Sequence, residues 1–203
     1  MDAQVLAALA RWPNVPAAYG WLSLSVRGQW RLHPRGQGWG NAGDEPGEAI
    51  TSPQIQAFIG RNYLCDDAGR WFFQNGPQRV YVRLDGAPWI LSLHPENGRP
   101  SLQTHTGIAY GPVQHWWLSP GGCLYAQSAA GAGLVSDRDL ASVLDALRRI
   151  DGEPLDGWLE HPGPDGINVR LHDTATDSPA ASAAPLKRLT ADAADVLGFV
   201  RRP

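Results

Sequence analysis

The sequence predicts an α+β fold, namely an antiparallel β-meander of five to six strands with packed helices. Short apolar runs recur about every ten residues between positions 70 and 128, and Gly, Asn, Asp and Pro residues separate them. These connectors are too short for crossover helices, so they favour antiparallel pairing of successive strands. Helical periodicity lies on both sides of this region and indicates helices that cover the sheet.

The elements before the meander follow from local patterns. Apolar residues at helical spacing between positions 5 and 12 predict a first helix, which a proline ends. Residues 22–26 and 30–33 alternate in polarity around a glycine and predict a β-hairpin. The Gly-rich stretch 34–49 is expected to form a loop.

Two helices are predicted to open at serines. Ser52 can cap the first of them, because Pro53 follows at a position where its missing N–H costs no hydrogen bond. Ser136 opens a pattern that resembles a capping box, with Asp139 three residues later. Both helices are expected to pack an apolar stripe on the sheet. The two stripes are Ile55, Phe58, Ile59 and Tyr63, and Leu140, Val143, Leu144 and Leu147.

Residues 1–150 are predicted to form the main α+β core. Residues 151–203 are expected to extend that same core with edge strands and a short helix. The Ser-, Ala- and Pro-rich stretch 173–185 is predicted to be a loop within this extension. Thr190 is expected to cap the last helix, which would run to Val200.

Two segments of the chain resemble each other. Trp21-Leu22-Ser23 and Trp117-Leu118-Ser119 are each followed by a Gly turn, a strand and a helix that opens at a serine. One interpretation is a pseudo-duplicated strand–strand–helix motif. The other is coincidence, because Gly turns and capped helices recur in many unrelated proteins.

The composition argues against several classes of function. A formal net charge of −3 offers no clustered positive field for nucleic acid. No run approaches the roughly 20 apolar residues of a membrane span, and the N-terminus lacks the pattern of a secretory signal. Cys65 and Cys123 show no paired spacing of the metal or redox type. We therefore expect a cytoplasmic protein without a nucleic-acid or membrane partner.

Motifs for a cofactor or a metal are weak. Residues 38–43 have the glycine spacing of a dinucleotide loop, but Asp44-Glu45-Pro46 follows with two negative charges and a helix breaker. Capping explains Asp137 and Asp139, and a turn explains Asp66 and Asp67. The sequence therefore predicts no cofactor, no metal site and no catalytic residue, and it favours a protein that is not an enzyme.

The histidines do not form a predicted metal site. If residues 95–100 make a turn, His94 pairs with position 101 and His105 lies four positions along. That separation is about 13 Å at the rise of a strand, which is too far for one metal ion. Both histidines are expected to be solvent-facing strand residues.

His115 and Cys123 flank a Pro-Gly-Gly turn and could form a thiol–imidazole pair. Whether they share a sheet face depends on the register of the turn, which the sequence leaves open. Nothing around Cys123 supplies a positive charge that would lower its pKa, so an inert thiol is favoured.

Trp116 and Trp117 form the most conspicuous aromatic pair. Adjacent strand residues point to opposite faces, so both can be buried only if both faces are covered, and at least one of the two is expected to be core. The exposed one would be the best candidate for surface recognition. His115, Trp116 and Trp117 are therefore the predicted binding residues.

The order of several turn and core segments is similar to that of uncharacterised proteobacterial families of unknown function. These segments are Gly28-Gln29-Trp30, Ile50-Thr51-Ser52, Asp67-Ala68-Gly69-Arg70-Trp71-Phe72, Val80-Tyr81-Val82 and Pro88-Trp89. The resemblance covers residues 20–150. It implies repeated strand–strand–helix motifs and, from one such family, a signalling role, and it assigns no site residue.

Together these patterns predict a non-enzymatic module that binds a small ligand or a protein partner, with a regulatory or signalling role. One alternative is an enzyme of unrecognised type that uses His115, Cys123 or a loop carboxylate. Another is a structural subunit of a larger assembly. A pocket with converging ionisable groups would favour the enzyme, and a flat apolar patch would favour the assembly.

Overall fold

The computed structural model describes residues 1–39, 46–96, 99–161, 163, 165–172 and 182–203. The chain divides into two compact units. Unit 1 contains residues 1–88 together with 198–203, and unit 2 contains residues 89–197. The boundary that the sequence predicts at residue 150 thus falls inside unit 2.

Unit 1 is a six-stranded mixed sheet with two helices. Its elements are α1 (Ala3–Arg11), β1 (Ala18–Leu24), β2 (Trp30–Leu32), β3 (Glu48–Ala49), α2 (Pro53–Arg61), β4 (Tyr63–Cys65), β5 (Trp71–Asn75) and β6 (Gln78–Leu84). The strand order is β3-β2-β1-β6-β5-β4. Two antiparallel three-stranded meanders are therefore joined by the parallel pair β1–β6, in which Leu22 lies opposite Val82.

Local signals located several elements of unit 1 correctly. Helix α1 ends at Arg11 before the proline, and β1 and β2 form the predicted antiparallel hairpin. Ser52 caps α2, since its Oγ accepts a hydrogen bond from the Ile55 N–H and Pro53 occupies the first helical position. Hydrogen bonds within one turn of chain determine these features, so local sequence is sufficient to predict them.

Unit 2 is an eight-stranded mixed sheet with three short helices among the described residues. Its elements are β7 (Trp89–Glu96), β8 (Arg99–Thr104), β9 (His115–Leu118), β10 (Leu124–Ser128), β11 (Gly131–Val135), α3 (Leu140–Ala146), β12 (Leu147–Arg149), α4 (Leu155–Glu160), β13 (Ile167–Leu171), β14 (Ala184–Arg188) and α5 (Ala193–Leu197). The strand order is β12-β13-β14-β9-β10-β11-β7-β8. Two of its pairs, β7–β11 and β9–β14, are parallel.

The predicted antiparallel meander of five to six strands is wrong. The strands between residues 70 and 128 belong to two sheets: β5 and β6 lie in the first, and β7 to β10 lie in the second. Both sheets contain parallel pairs. The segment 85–88 resembles a hairpin turn in composition, yet it leads from one unit to the other. Turn residues show where a strand ends, whereas distant pairing decides which sheet it joins.

The predicted repeat of a strand–strand–helix motif is also wrong. Strands β9 to β14 with α3 repeat the order of β1 to β6 with α2, so the recurring order spans six strands and one helix. The two first hairpins match at Ser25 and Ser119, each of which opens a turn that closes four residues later. When the two turns are superposed, Ser23 corresponds to Trp117. The sequence resemblance instead matches Trp21 with Trp117.

The same five-residue turn occurs four times, three times between hairpin strands and once directly after β8. In each, the side-chain oxygen of the first residue accepts a hydrogen bond from the N–H of the fifth. The fourth residue is a glycine with φ between 75° and 81°, a left-handed conformation that disfavours other residues. The turns are Ser25–Gln29, Asp66–Arg70, Thr104–Ile108 and Ser119–Cys123.

Two predicted helix ends need correction. The second serine-opened helix begins at Leu140 and not at Ser136, because residues 136–139 form a separate turn. The last helix covers only Ala193–Leu197. The chain then returns to unit 1, where Phe199 is buried and the Val200 N–H donates to the Gly69 carbonyl. No helix in the described part of the chain is long and apolar enough to span a bilayer.

Candidate functional site

A groove with a volume of about 570 Å³ opens in unit 1. It lies between α2 and the sheet, and it has the size of pockets that bind small molecules. Apolar side chains form nearly all of its lining. The lining residues are Ala18, Trp21, Leu22, Leu32, Ile50, Ile55, Ile59, Phe73, Asn75, Gln78 and Val80.

Helix α2 forms one wall because it leads from β3, at one edge of the sheet, to β4 at the other. Its C-terminal half is packed down: Ile59 is buried, and the Phe58 and Phe73 rings meet edge to face at 5.4 Å. Ile55, one turn earlier, remains 51% exposed and lines the groove. The sequence-based assignment of Ile55 to a buried stripe is therefore wrong, and its side chain is available to a ligand.

The opposite wall comes from β1 and β2. Trp21 is 44% exposed and Leu32 is 41% exposed, although both lie in the ordered sheet. Trp21 packs against Gly36, where a Cβ would lie only 3.2 Å from the indole. The indole is therefore held in position by the loop, while part of its surface still faces the groove.

Two carboxamides lie at one end of the groove. Asn75 and Gln78 are register partners at the closed end of the β5–β6 hairpin. The Gln78 Nε2 donates to the Pro16 carbonyl at 3.1 Å, which fixes that side chain. These two residues give the groove a neutral, hydrogen-bonding end.

The groove is uncharged over the part of the chain that the structure describes. None of its lining residues is Asp, Glu, Lys, Arg or His. A ligand held there would contact carbon over most of its surface and neutral amides at one end.

A buried polar network holds the loop beside the groove. Ser23 Oγ and His33 Nε2 share a hydrogen bond of 2.9 Å, and both residues are fully buried. Arg83, the register partner of Ser23, donates to Asp85 Oδ1 at 2.9 Å and to the Gly38 carbonyl. Because these groups are inaccessible, they anchor the loop and do not present a reactive serine. The remainder of the glycine-rich motif, residues 40–43, lies outside the described residues.

The three predicted binding residues lie on β9 in unit 2. Trp116 is only 1% exposed and faces the core, opposite Ala126 and Leu186. Trp117 is half-buried on the other face, where it stacks with the exposed His115 at 6.4 Å. Lys187 Nζ lies 6.0 Å from the centre of the Trp117 ring. The structure thus separates the two tryptophans as the alternation of strand residues predicts.

The register also settles the position of Cys123 relative to His115. His115 lies opposite Gln127 of β10, and Cys123 lies four residues before Gln127, at the end of the turn that leads into β10. The two side chains share a face but are about 13 Å apart at the rise of a strand. They therefore do not form a thiol–imidazole pair.

His94 pairs with Ser101 as predicted, but the prediction for His105 is wrong. His105 lies in the Thr104–Ile108 turn, and its Nδ1 accepts a hydrogen bond from the Ile90 N–H at 3.3 Å. Burial lowers the pKa of His105 to about 3, so the ring is neutral at physiological pH. The strand ends at Thr104, whose Oγ1 closes the turn by accepting from the Ile108 N–H. His105 therefore lies in a turn and not on the solvent-facing side of a strand.

The turn predicted at Asp66 is confirmed, whereas the capping role predicted for Asp139 is wrong. Asp66 Oδ1 accepts hydrogen bonds from the N–H groups of Ala68 and Arg70 within its turn. Asp139 precedes α3 but its side chain does not cap the helix, because its Oδ1 accepts a hydrogen bond from the Leu93 N–H of β7 at 3.4 Å. Among the described residues, no three His, Cys, Asp or Glu side chains are grouped in a way that could hold a metal ion.

Comparisons with known proteins identify a family. The model of DUF2944, described as "Protein of unknown function (DUF2946)", matches residues 1–203. The chain belongs to this family. The comparison with curated proteins found no match.

Two solved structures of DUF1285 family proteins are similar to this chain. The protein from Silicibacter pomeroyi DSS-3 has 16% sequence identity and a TM-score of 0.50, and the match covers 92% of this chain and 96% of that chain. The protein from Shewanella baltica OS155 has 13% identity and a TM-score of 0.44, over 62% of this chain and 91% of that chain. The first likeness supports the fold of this DUF2944 chain and assigns it no function.

Sequence reasoning missed the groove in this DUF2944 protein. The sequence places Leu32 in an ordinary hairpin, and it predicts no contact between Trp21, Ile50 and the helix that opens at Ser52. One available signal was the excess of apolar residues around the start of α2. Phe58 and Ile59 already suffice to pack a helix of this length against the sheet. Ile50 and Ile55 are therefore additional apolar residues that packing does not require.

Proposed function

We propose that unit 1 is a non-enzymatic binding module that takes a small apolar ligand into the groove between α2 and the sheet. The proposal rests on one observation: the groove is already formed in the protein, and large apolar side chains in its walls remain exposed. The ligand would contact Trp21, Leu32 and Ile55, each of which is more than 40% exposed.

The free energy of burial supports a ligand at this site. Apolar surface removed from water contributes roughly 25 cal/mol per Å², and proteins seldom leave large apolar side chains clustered around a cavity without a use for them. Leu22 and Ile59 are already buried in the wall, so the lining is pre-formed and little ordering would accompany binding.

The chemistry of the lining supports binding over catalysis. Among the described residues, those that line the groove include no general acid, general base or nucleophilic thiol. A ligand that contacts both α2 and the sheet would stabilise unit 1 by mass action, because it binds the folded state alone. A regulatory role would follow from that coupling.

Titration with N-phenyl-1-naphthylamine, an uncharged probe that fluoresces in apolar surroundings, tests the proposal. Ile55→Asp should weaken binding by about tenfold or more, because the new carboxylate would have to be desolvated by the probe. Ile108→Asp is the matched control, since Ile108 is an isoleucine of unit 2 with the same exposure, 53% against 51%. Circular dichroism would verify that both variants fold. Equal affinity of wild type and Ile55→Asp would contradict the proposal.

A second candidate is a protein-partner site around Trp117 and His115. His115 is exposed and stacks on the half-buried Trp117 ring at 6.4 Å, so the pair presents a continuous aromatic surface. Trp117→Ala removes this ring, so it should weaken such a partner while leaving probe binding in unit 1 unchanged.

A further inference from the structure

The ends of the groove differ in chemistry, and this difference constrains the ligand. Asn75 and Gln78 lie together at the β5–β6 end, where the last register pair of the hairpin places them. Leu32 and Ile50 lie at the other end, on and next to the β2–β3 side of the sheet. A ligand with one polar end and one apolar end would therefore bind in a single direction.

The groove is also elongated. Its lining comes from β2, β1, β6 and β5, which are consecutive neighbours in the sheet. Three spacings between neighbouring strands amount to about 14 Å, a length that suits an extended alkyl chain better than a compact ring system. Leu22 and Val80, on the two central strands, would contact the middle of such a chain.

The polar end is open to solvent. Asn75 is exposed, whereas Gln78 is half-buried and restrained by its hydrogen bond to Pro16. A polar head placed there can keep part of its water and exchange hydrogen bonds with the carboxamides, while the apolar lining takes the tail out of water.

From these observations we infer that the groove takes aliphatic amphiphiles, such as a long-chain alcohol, with the head at Asn75 and the tail towards Leu32 and Ile50. This inference rests on the proposed binding function and adds the class and the orientation of the ligand.

Displacement of the naphthylamine probe by two alcohols with the same number of carbons tests this inference. Dodecanol should displace the probe at concentrations about tenfold lower than cyclododecanol, because only the open chain can extend along the groove. Equal potency of the two alcohols would overturn the inferred ligand class.

The variant Asn75→Lys tests the orientation. The new ammonium group should strengthen the binding of dodecanoate relative to dodecanol, while Asn168→Lys, at an exposed asparagine of unit 2, should leave their relative affinities as in wild type. If Asn75→Lys kept the wild-type ratio of the two affinities, the head would not lie at Asn75 and the inference would fail. Absence of probe binding to the wild-type protein would instead overturn the proposed binding function itself.

Discussion

Leu22 of β1 and Trp116 of β9 occupy equivalent positions in the strand ladders of the two units. Leu22 lies opposite Leu32 in the hairpin and Val82 in the parallel pair, and Trp116 lies opposite Ala126 and Leu186 in the same way. Both residues precede the serine of the shared turn by three positions. Where unit 1 has a leucine at the wall of its groove, unit 2 therefore has a fully buried indole.

This relationship predicts unequal roles for the two adjacent tryptophans. Trp116→Ala should lower the free energy of unfolding by about 3–5 kcal/mol, the usual cost of deleting a large buried aromatic side chain. Trp117→Ala should cost clearly less, because its ring is half-buried. Urea denaturation monitored by circular dichroism would measure both. Similar losses for the two variants would contradict the assigned faces.

Gly69 is predicted to tolerate a side chain less well than the equivalent glycine of another turn. Gly69 and Gly122 have φ of 75° and 79°, so alanine at either site bears a left-handed strain of about 1–2 kcal/mol. A Cβ at Gly69 would also lie 2.8 Å from the Gly198 carbonyl oxygen, whereas nothing lies within 4 Å at Gly122.

Gly69→Ala should therefore destabilise the protein more than Gly122→Ala in thermal unfolding. It should also increase hydrogen exchange at Val200, whose N–H bonds to the Gly69 carbonyl. Equal melting temperatures of the two variants would show that the Gly198 carbonyl does not pack closely against Gly69.

Asp66 is predicted to make stability fall in acid. Partial burial by itself would raise its pKa, but hydrogen bonds from the Arg70 side chain and backbone, from Tyr81 and from the Ala68 N–H outweigh that effect and lower the pKa to about 2. A carboxyl whose folded-state pKa is below its ordinary 3.8 stabilises the fold above about pH 4, and this stabilisation is lost as the pH falls towards 2.

Asp66→Asn should remove part of this acid dependence, as measured by urea midpoints between pH 6 and pH 2.5. The neighbouring substitution Asp67→Asn changes an exposed carboxylate and should keep the wild-type slope. If Asp66→Asn retained the full slope, other carboxylates would be responsible for it.

The sequence predicted what local hydrogen bonds determine. The Ser52 cap, the end of α1 and the β1–β2 hairpin depend on residues within a few positions of one another. The parallel pairs, by contrast, join strands that are far apart in sequence. Val82 follows its partner Leu22 by 60 residues, and Leu186 follows Trp116 by 70. Alternating polarity is the same for parallel and antiparallel neighbours, so the sequence alone could not distinguish them.

The groove could not be predicted for the same reason. Trp21 and Ile55 meet across a cavity only because the β1–β6 pair brings the first meander under α2. Judged from its own segment alone, Trp21 resembles an ordinary strand residue, and Ile55 resembles a residue on the buried face of a helix. Their exposure is a property of the assembled unit and not of either segment.

Methyl NMR of isoleucine-labelled protein during a titration with dodecanol tests the central claim most directly. The chain has isoleucines at positions 50, 55, 59, 90, 108, 150 and 167, and the first three line the groove. We predict saturable shifts of the Ile50, Ile55 and Ile59 methyl resonances, with the other four unchanged. Shifts confined to the isoleucines of unit 2, or no saturable shift at any of the three, would contradict the assignment of the groove as the ligand site.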